Sequence, residues 1–545
     1  MSRRILVAVA WPYASGPRHL GHLAGAYLPA DIFARYQRLA GNQVLMVSGS
    51  DVHGTPITVR ADTEGVEPQV IVDRYHAEFL RDWERLGISW NLYTSTGTAN
   101  HHRVTQDMFL RLLEHGYLAK QTSSQLYDAE AGRFLPDRYV QGTCPYCGYP
   151  EARGDQCENC GRTLDPTDLI DPKSRLTGST PVSRETEHYF LLLSKLEERL
   201  RAWLESKTTW RRHVKNWALG MVNEGLPDRA ITRDIEWGVE VPVGDLGPGK
   251  RIYVWFDAVI GYLSASKEWA AVGGDPEAWR LWWEDEAAES YYFVGKDNIP
   301  FHTVIWPAML MGHEGLNLPT DVPANQYVTF ASEKASASRG VGRSIGWYLD
   351  HLEPDALRYA IASVLPEQND TDLSDDEIVR RVNEELVATW GNLVNRVLSM
   401  SSRSFDGKVP EPGSLTPADM ELIESVDHAL GETAARIEAV ELRAGLRAAM
   451  DAATLVNAYL NAEEPWRVLK EDPERGGTIL WAALQAISGI RVALAPYLPW
   501  TTIRLGEMLG LPIPSGWERP EVEGGTPIET VEPLFTKLEA DALDD

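Results

Sequence analysis

The N-terminal part of the chain passes from a continuous apolar run to a helical pattern and back. Residues 5–10, ILVAVA, are apolar without interruption, which is typical of a strand buried on both faces of a parallel sheet. A turn rich in proline, glycine and serine follows, and apolar residues then recur at helical spacing up to residue 40. Residues 43–51, QVLMVSGSD, predict a second strand. This order predicts a βαβ unit of a doubly wound, Rossmann-type parallel sheet.

The pattern changes three more times along the chain. Residues 70–118 show helical spacing, whereas residues 119–185 consist of short strands, turns and a cysteine cluster, which indicates an insertion. Strand-then-helix patterns return at 251–263 and 290–311, so we expect the parallel sheet to resume after the insertion. From about residue 374 onward the spacing is that of an all-α helical bundle of about 170 residues, which is within domain size.

The bulk composition is that of a soluble globular protein, with 43% hydrophobic and 24% charged residues among 545. No stretch approaches about 18 consecutive apolar residues, so we predict no membrane span. The basic N-terminus and its apolar run are too short for a signal peptide and predict the first strand instead. A net charge of -27 means that any contact with RNA requires a local basic surface.

All 4 cysteines lie between residues 144 and 160, in the pattern C-x2-C-x9-C-x2-C. One tight cluster in a large chain indicates a metal site and a reducing, cytoplasmic location, because secreted disulfide proteins spread their cysteines. Four incidental thiols are the alternative, but the paired spacing with a glycine after each pair favours metal. Four thiolates fill the tetrahedral shell of Zn2+, so we predict one structural zinc held by Cys144, Cys147, Cys157 and Cys160.

Two histidines, His19 and His22, stand at the start of the first predicted helix. Helix N-termini attract anions, two imidazoles add donors, and Gly21 allows an anion to approach the backbone. A pair of surface histidines is the alternative interpretation. The position after the first strand favours a phosphate site, because parallel sheets bind ligands at their carboxyl ends.

With this HLGH motif the sequence resembles the class I aminoacyl-tRNA synthetases. Their second motif, usually K-M-S-K-S, has its counterpart here in residues 334–338, KASAS, which we name the lysine loop. The resemblance is closest to the methionyl-tRNA synthetase family and covers essentially the whole chain. The matching segments are AWPYASGPRHLGHLAGAYLPADIFARYQR, GSDVHGTPI, the cysteine cluster, ITRDIEWGVEVP, YVWFDAVIGY, FVGKDNIPFHTVIWPAML, ASASRGVG, GNLVNR and EEPW.

The resemblance implies a methionine–tRNA ligase. Such an enzyme activates methionine with ATP to methionyl-adenylate and pyrophosphate, and then transfers methionyl to the 3′ end of tRNA(Met). Class I relatives for cysteine, valine, isoleucine or leucine are the nearest alternative, but the last three carry an editing insertion larger than the one here. The alternative from another class is a catalytically weakened or non-catalytic paralogue that binds tRNA or adenylate.

The resemblance also implies the residues that handle ATP. His19, His22 and Lys334 are implied to be catalytic, as donors to the phosphates, with Mg2+ bridging phosphate oxygens. Phosphoryl transfer depends mainly on positioning and charge stabilisation, so donors are expected and a nucleophilic side chain is not. The implied ATP-binding set is His19, Gly21, His22, Gly295, Asp297, Lys334, Ser336, Ala337 and Ser338.

The implied methionine-binding set is mainly aromatic and apolar, as suits a thioether, with Asp51 for the substrate ammonium. Core packing is the alternative for each aromatic taken alone, and structural ion pairing is the alternative for Arg233 and for Asp297. The set comprises Trp11, Tyr13, Asp51, Arg233, Val254, Ala258, Tyr262, Phe301, His302 and Trp306.

In the helical part, the resemblance implies that Asn392, Arg396 and Trp466 read the anticodon CAU. RNA loops are read by stacking of unpaired bases and by hydrogen bonds to base edges. A buried tryptophan that packs helices together is the alternative for Trp466. Because the sequence ends at residue 545 without an appended tRNA-binding barrel, we expect a monomer.

These implications divide the chain into five expected segments. They are the first half of the catalytic domain (1–118), a connective insertion with the zinc knuckle (119–230), the second catalytic half (231–330), a lysine-loop and stem-contact region (331–385) and an anticodon-binding bundle (386–545).

The sequence departs from the family pattern at a few positions. Trp11 replaces the usual leucine in the methionine pocket, and Val52 follows Asp51 where Glu or Ala is usual. In the lysine loop, Ala337 replaces the second lysine and Ala335 the apolar second residue. We therefore expect the loop to rely on Lys334, Arg339 and backbone N–H groups.

Overall fold

The computed structural model describes residues 2–330, 333–334 and 343–544. Of the lysine loop, the backbone of Lys334 is described, in the short strand Glu333–Lys334. The predicted ATP-binding residues Ser336, Ala337 and Ser338, together with Arg339, lie outside the described residues.

A five-stranded parallel sheet forms the centre of the catalytic part, as the apolar runs predict. The first strand occupies its middle, and both of its neighbours pair with it in parallel register. Its residues 5–9, ILVAV, are all buried, because apolar helices pack on both faces of the sheet. In sheet order the strands are Ala324–Asn325, Glu289–Gly295, Arg4–Val9, Gln43–Ser50 and Leu92–Ser95.

The strand Leu92–Ser95 lies within residues 70–118, which helical spacing alone had predicted to be helical. Four residues are too few to show a period of two, and only pairing with the strand Gln43–Ser50 identifies them as a strand. The helices of this half are Leu20–His22, a π-helical turn Leu23–Tyr27, Leu28–Leu39, Thr55–Glu64, Pro68–Leu86 and Ala99–Glu114.

The insertion has two small antiparallel sheets and two helices. One sheet contains Arg229–Ala230, Val182–Leu191, Leu118–Asp128 and Arg133–Phe134, in that order. The other contains Ala152–Arg153, Val140–Thr143 and Ile170–Ser174, which carry the cysteine cluster. The helices Glu197–Ser206 and Arg212–Asn223 lead back towards the parallel sheet.

The parallel sheet resumes after the insertion, but not at both predicted places. The first predicted strand, Lys250–Ile252, pairs with Thr232–Asp234 in a two-stranded ribbon, whereas Glu289–Gly295 joins the central sheet. The helices of this half are Val254–Val272, Arg280–Trp283, a π-helical turn Phe301–Ile305 and Trp306–His313. A further small sheet contains Glu333–Lys334, Val328–Phe330 and Thr371–Asp372, in that order.

The C-terminal part is helical as predicted, but its helices begin at Ile345, before the predicted start near residue 374. They end at Leu509, and residues 510–544, which contain several prolines, form no helix. Its first helices are Ile345–His351, Pro354–Ala362, Asp375–Arg381, a π-helical segment Val382–Gly391 and Asn392–Ser404. The bundle helices are Pro417–Glu438, Leu442–Glu463, Pro465–Glu471, Pro473–Leu494 and Pro499–Leu509. The helix Pro473–Leu494 is long and apolar enough to cross a membrane, but 94% of its most apolar window is buried within the protein, as in a core helix.

Candidate active site

A cavity of about 530 Å³ opens where the strands of the parallel sheet end at their carboxyl edge. Such edges are the usual ligand sites of doubly wound sheets. Twelve of the predicted site residues line this cavity together. They are Trp11, Tyr13, His19, Gly21, His22, Asp51, Ala258, Tyr262, Gly295, Asp297, Phe301 and His302.

The histidine turn begins a nearly continuous helix that runs from Leu20 to Leu39. His19 is the N-cap, and its backbone N–H donates to Nδ1 of His22 at 3.3 Å. The two imidazole rings lie 3.8 Å apart between centroids, so they face the same part of the cavity. The start of this helix, with its partial positive charge, and two imidazoles therefore converge on one site suited to an anion.

Both flanks of the lysine loop lie against this histidine turn. On the far side of the loop, the N–H of Ile345 donates to the carbonyl of Arg18 at 2.8 Å, and Ser344 pairs with His19. On the near side, Val328 lines the cavity, and its strand pairs with Glu333–Lys334. The backbone thus holds the two ends of the loop beside the predicted phosphate site.

Asp51 provides a carboxylate to the cavity although the residue itself is only 3% exposed. A short backbone bridge with Tyr13 holds it beyond the end of its strand, and the N–H of His53 donates to its Oδ1 at 3.2 Å. Burial, and then the negative charge of Asp257, raise the pKa of Asp51. A cation in the cavity would offset both effects.

Tyr262 and His302 form a hydrogen-bonded pair on the opposite wall. The Nδ1–H of His302 donates to the carbonyl of Asn298 at 2.9 Å. Burial lowers the pKa of His302 to about 4, so the ring is neutral at pH 7 and its Nε2 is an acceptor. The hydroxyl of Tyr262 therefore donates to this Nε2 at 2.7 Å, which fixes the tyrosine and leaves its oxygen lone pairs for other donors.

Trp11, which departs from the family pattern, fits because two glycines give it room. A Cβ atom on Gly49 would lie 2.2 Å from its ring, and one on Gly261 would lie 2.6 Å from it. The ring also packs edge-on against Tyr262 at a centroid distance of 6.4 Å. The larger side chain is thus accommodated by the backbone of the strand and helix beside it.

Three residues of the predicted methionine-binding set do not line the cavity. Trp306 is fully buried, and its indole N–H donates to the hydroxyl of Tyr292 at 3.1 Å. Val254 is also buried, one residue before Trp255, which does line the cavity. Arg233 lies in a separate small pocket.

The environment of Arg233 is that of a structural ion pair. Its Nε donates to Asp137 at 3.3 Å, and its guanidinium stacks on the ring of Tyr253 at 3.8 Å. By contrast, Asp297 lines the main cavity, where it accepts from the hydroxyl of Tyr327. The sequence allows both Arg233 and Asp297 to be either structural ion-pair partners or groups that position the substrate. Arg233 is in a structural ion pair, whereas Asp297 lines the cavity.

The four cysteines come together as their spacing predicts. All four Sγ atoms lie within 4.8 Å of one another, with Cys144 and Cys160 4.0 Å apart and Cys147 and Cys157 3.5 Å apart. Four sulfurs bound tetrahedrally at about 2.3 Å from Zn2+ would lie about 3.8 Å apart, so the set could hold a metal ion.

The cysteine knuckle also forms one wall of the main cavity, a position that the spacing of its cysteines does not predict. Gln156 donates from Nε2 to the carbonyl of Asp297 at 3.1 Å and so ties the knuckle to the parallel sheet. The half-buried Arg138 lines the same wall and forms an ion pair of 2.8 Å with Asp155. Spacing alone offers no signal for these contacts, because they depend on how the insertion folds back.

Two of the three predicted anticodon residues are in contact. The guanidinium of Arg396 lies 5.8 Å from the ring centroid of Trp466, and its Nη2 donates to Asn457 at 2.9 Å. Trp466 is 40% exposed, so it does not serve as a buried helix-packing residue. Asn392 is exposed one helical turn before Arg396.

Comparison with known proteins agrees with this architecture. The family of tRNA synthetases class I (M) matches residues 5–398, and the anticodon binding domain of methionyl tRNA ligase matches residues 409–545. The two matches together span the parallel sheet with its histidine turn and cysteine knuckle and the helical bundle, and they place the chain among the class I aminoacyl-tRNA synthetases.

Individual relatives narrow the class. A methionine–tRNA ligase of Roseiflexus castenholzii is 54% identical over 94% of this chain and 87% of its own length. That of Thermomicrobium roseum is 48% identical over 100% of this chain and 98% of its own. The structure of Mycobacterium tuberculosis methionyl-tRNA synthetase bound by methionyl-adenylate, 25% identical, covers 98% of this chain and 100% of its own with a TM-score of 0.81. The chain belongs to the methionyl-tRNA synthetase family.

Proposed function

We propose that the protein is a methionine–tRNA ligase that uses the cavity at the carboxyl edge of its parallel sheet. The observation that carries this proposal is the arrangement of one cavity between a histidine turn suited to phosphate and a carboxylate–aromatic pocket suited to methionine. The M. tuberculosis neighbour binds methionyl-adenylate, a ligand that combines those two chemistries. The product of the protein would be methionyl-tRNA(Met).

In the first step, an oxygen of the methionine carboxylate attacks the α-phosphorus of ATP and pyrophosphate leaves. His19 and His22 are proposed to donate to the phosphates, with the helix start behind them, as the charge shifts towards the leaving group. Lys334 is proposed to stabilise pyrophosphate from the opposite side. Ser336, Ala337 and Ser338 complete the proposed lysine loop.

The amino acid is proposed to lie with its ammonium at Asp51 and its thioether at the aromatic wall. Tyr262 is held by His302, so its position is fixed before the substrate enters, which reduces the entropy lost on binding. Trp11, Tyr13 and Phe301 supply polarizable aromatic surface, which suits sulfur. In the second step, the terminal ribose hydroxyl of the tRNA attacks the methionyl carbonyl and AMP leaves.

Two ions are proposed to assist. Zn2+ would be held by Cys144, Cys147, Cys157 and Cys160 and would fix the knuckle that forms the cavity wall. Mg2+ bound with ATP would neutralise phosphate charge. Asn392, Arg396 and Trp466 are proposed to bind the CAU anticodon. The monomeric state, the cytoplasmic location and the five segment boundaries remain predictions.

The alternative of a non-catalytic paralogue is not favoured. Its one support, Ala337, lies outside the described residues, whereas the cavity keeps both histidines and Asp51. Relatives about half identical over nearly the whole chain are methionine–tRNA ligases.

The test of the proposed function is ATP–pyrophosphate exchange with methionine, followed by charging of tRNA(Met). We expect exchange that depends on methionine and is weak with leucine or isoleucine. Charging should require the CAU anticodon, and a tRNA altered only in its anticodon is the control. Tight tRNA binding without methionine-dependent exchange would reject the ligase in favour of the paralogue.

A further inference from the structure

A second carboxylate, Asp257, lies beneath Asp51 and has no role in the mechanism described above. It is fully buried on the helix Val254–Val272, and its Oδ2 is 2.7 Å from Nδ1 of His53. Its Oδ1 is also buried and has no hydrogen-bond donor among the described residues. An acceptor buried in this way disfavours folding, so its presence calls for a compensating interaction.

His53 connects the two carboxylates. Its backbone N–H donates to Oδ1 of Asp51, and its Nδ1 shares a hydrogen bond with Oδ2 of Asp257. Burial lowers the pKa of His53 to about 3, so the ring is neutral and adds no positive charge. The carboxylates therefore share one neutral connecting residue, and the charge of Asp257 adds to burial in raising the pKa of Asp51. Burial also raises the pKa of Asp257, so a cation in the cavity is needed to favour the charged form of both carboxylates.

No lysine or arginine among the described residues forms an ion pair with Asp51 or Asp257. Within the part of the chain that the structure describes, His53 is the only basic residue that pairs with either carboxylate. The nearby His101 has hydroxyls at both ring nitrogens, Ser264 at 2.9 Å and Thr105 at 3.2 Å, and burial lowers its pKa. Buried carboxylates normally have a compensating charge, and only Asp51 of the two reaches the cavity.

We propose that Asp257 is a positioning residue for the substrate ammonium, which it attracts from behind Asp51 while His53 holds the two carboxylates together. This inference rests on the proposed function, because it assumes an amino acid in the cavity. Asp51 contacts the ammonium, and Asp257 supplies a second negative charge through a buried region where salt screens weakly. The ammonium is then the cation that balances the pair.

The test compares two ligands that differ only in the ammonium. One is the non-hydrolysable sulfamoyl analogue of methionyl-adenylate, and the other is the same compound without its α-amino group. Asp257→Asn keeps the shape of the side chain and removes its charge. We expect the dissociation constant of the amino compound to rise about tenfold, and that of the des-amino compound to change less than about twofold.

A matched control is Asp355→Asn. Asp355 is also a buried carboxylate with one unpartnered oxygen, but it accepts from the N–H and hydroxyl of Thr501, away from the residues that line the cavity. This variant should lower the thermal stability and leave the ratio of the two dissociation constants unchanged. This control distinguishes the general effect of removing a buried negative charge from the specific effect of removing the charge of Asp257.

An equal weakening of both ligands by Asp257→Asn would overturn the inference, since Asp257 would then only support the fold. If that variant shows no cooperative thermal transition, His53→Gln provides the same comparison, and an unchanged ratio there would overturn it equally. The proposed function is tested separately on the wild-type protein. If that protein shows no methionine-dependent exchange, the function fails, whereas exchange with equal weakening rejects only the role of Asp257.

Discussion

The active-site cavity and the proposed anticodon surface use polar and aromatic residues in opposite surroundings. In the cavity, Asp51 and His302 are each 3% exposed, and each is held by a neighbour. On the anticodon surface, Trp466 is 40% exposed and its contact with Arg396 is loose, at 5.8 Å. The side chains of the cavity are thus fixed by their neighbours, whereas the ring of Trp466 stays partly exposed, as the proposed stacking of a base requires. Substitutions in the two regions should therefore affect different steps and by different amounts.

The largest effect is expected for His19→Ala. Loss of a positioned donor at a developing charge typically costs about 100- to 1,000-fold in rate, and we expect that loss in methionine-dependent exchange. Binding of tRNA should change less than about twofold, because His19 lies in the cavity. His351→Ala is the control, since His351 is exposed and stacks on Trp347. Equal losses in exchange and in tRNA binding would show that the substitution does not act on the cavity alone.

Lys334→Ala should slow adenylation by about 100-fold, because Ala337 leaves Lys334 as the main lysine of the loop. The measurement is single-turnover formation of methionyl-adenylate. Lys195→Ala is the control, since Lys195 is exposed and donates only to the carbonyl of Gly116. A change below about threefold would show that the loop does not act on pyrophosphate.

Trp466→Ala should reduce kcat/KM for tRNA by about 5- to 100-fold, the range expected for loss of one stacked base. Exchange without tRNA should remain as in the wild type. Trp500→Ala is a matched control, because Trp500 is a bundle tryptophan of similar exposure, 45%, that packs on Gly87. If both variants lose charging equally, the effect comes from the bundle fold and not from anticodon stacking.

The smallest effect is a dependence of stability on pH that belongs to the catalytic part. The unfolded His302 takes up its proton near pH 6.5, whereas the folded group does so near about 4. Between these values the unfolded state binds more protons, so the free energy of unfolding falls as the pH falls, by at most about 1.4 kcal/mol per pH unit for this group. Above pH 6.5 its contribution is constant.

Chemical denaturation at pH 7, 6 and 5 measures this slope in the wild type and in His302→Gln. The slope should be shallower in His302→Gln and unchanged in His428→Gln, because His428 is exposed and is the one histidine after residue 351. Equal slopes in all three proteins would show that His302 does not remain neutral when folded.

Local pattern alone determined much of this protein. A continuous apolar run predicted the central strand, helical spacing predicted the bundle, and the C-x2-C pairs predicted the sulfur cluster, because each signal lies within a few consecutive residues. The family resemblance also predicted twelve of the residues that line the cavity. Several of them, such as Asp51 and His19, follow a strand or stand at the start of a helix at the edge where ligands bind.

Only the tertiary structure decided the rest. Trp306 and Arg233 are in motifs that match the family, yet one packs in the core and the other pairs with Asp137, because the direction of a side chain depends on what packs against its helix or strand. Arg138 and Gln156 reach the cavity only because the insertion folds back onto the sheet. The pair of Asp51 and Asp257, 206 positions apart, arises in the same way. Contacts between distant segments leave no periodic signal in the sequence, and the shared burial that gives them their energy exists only in the folded chain.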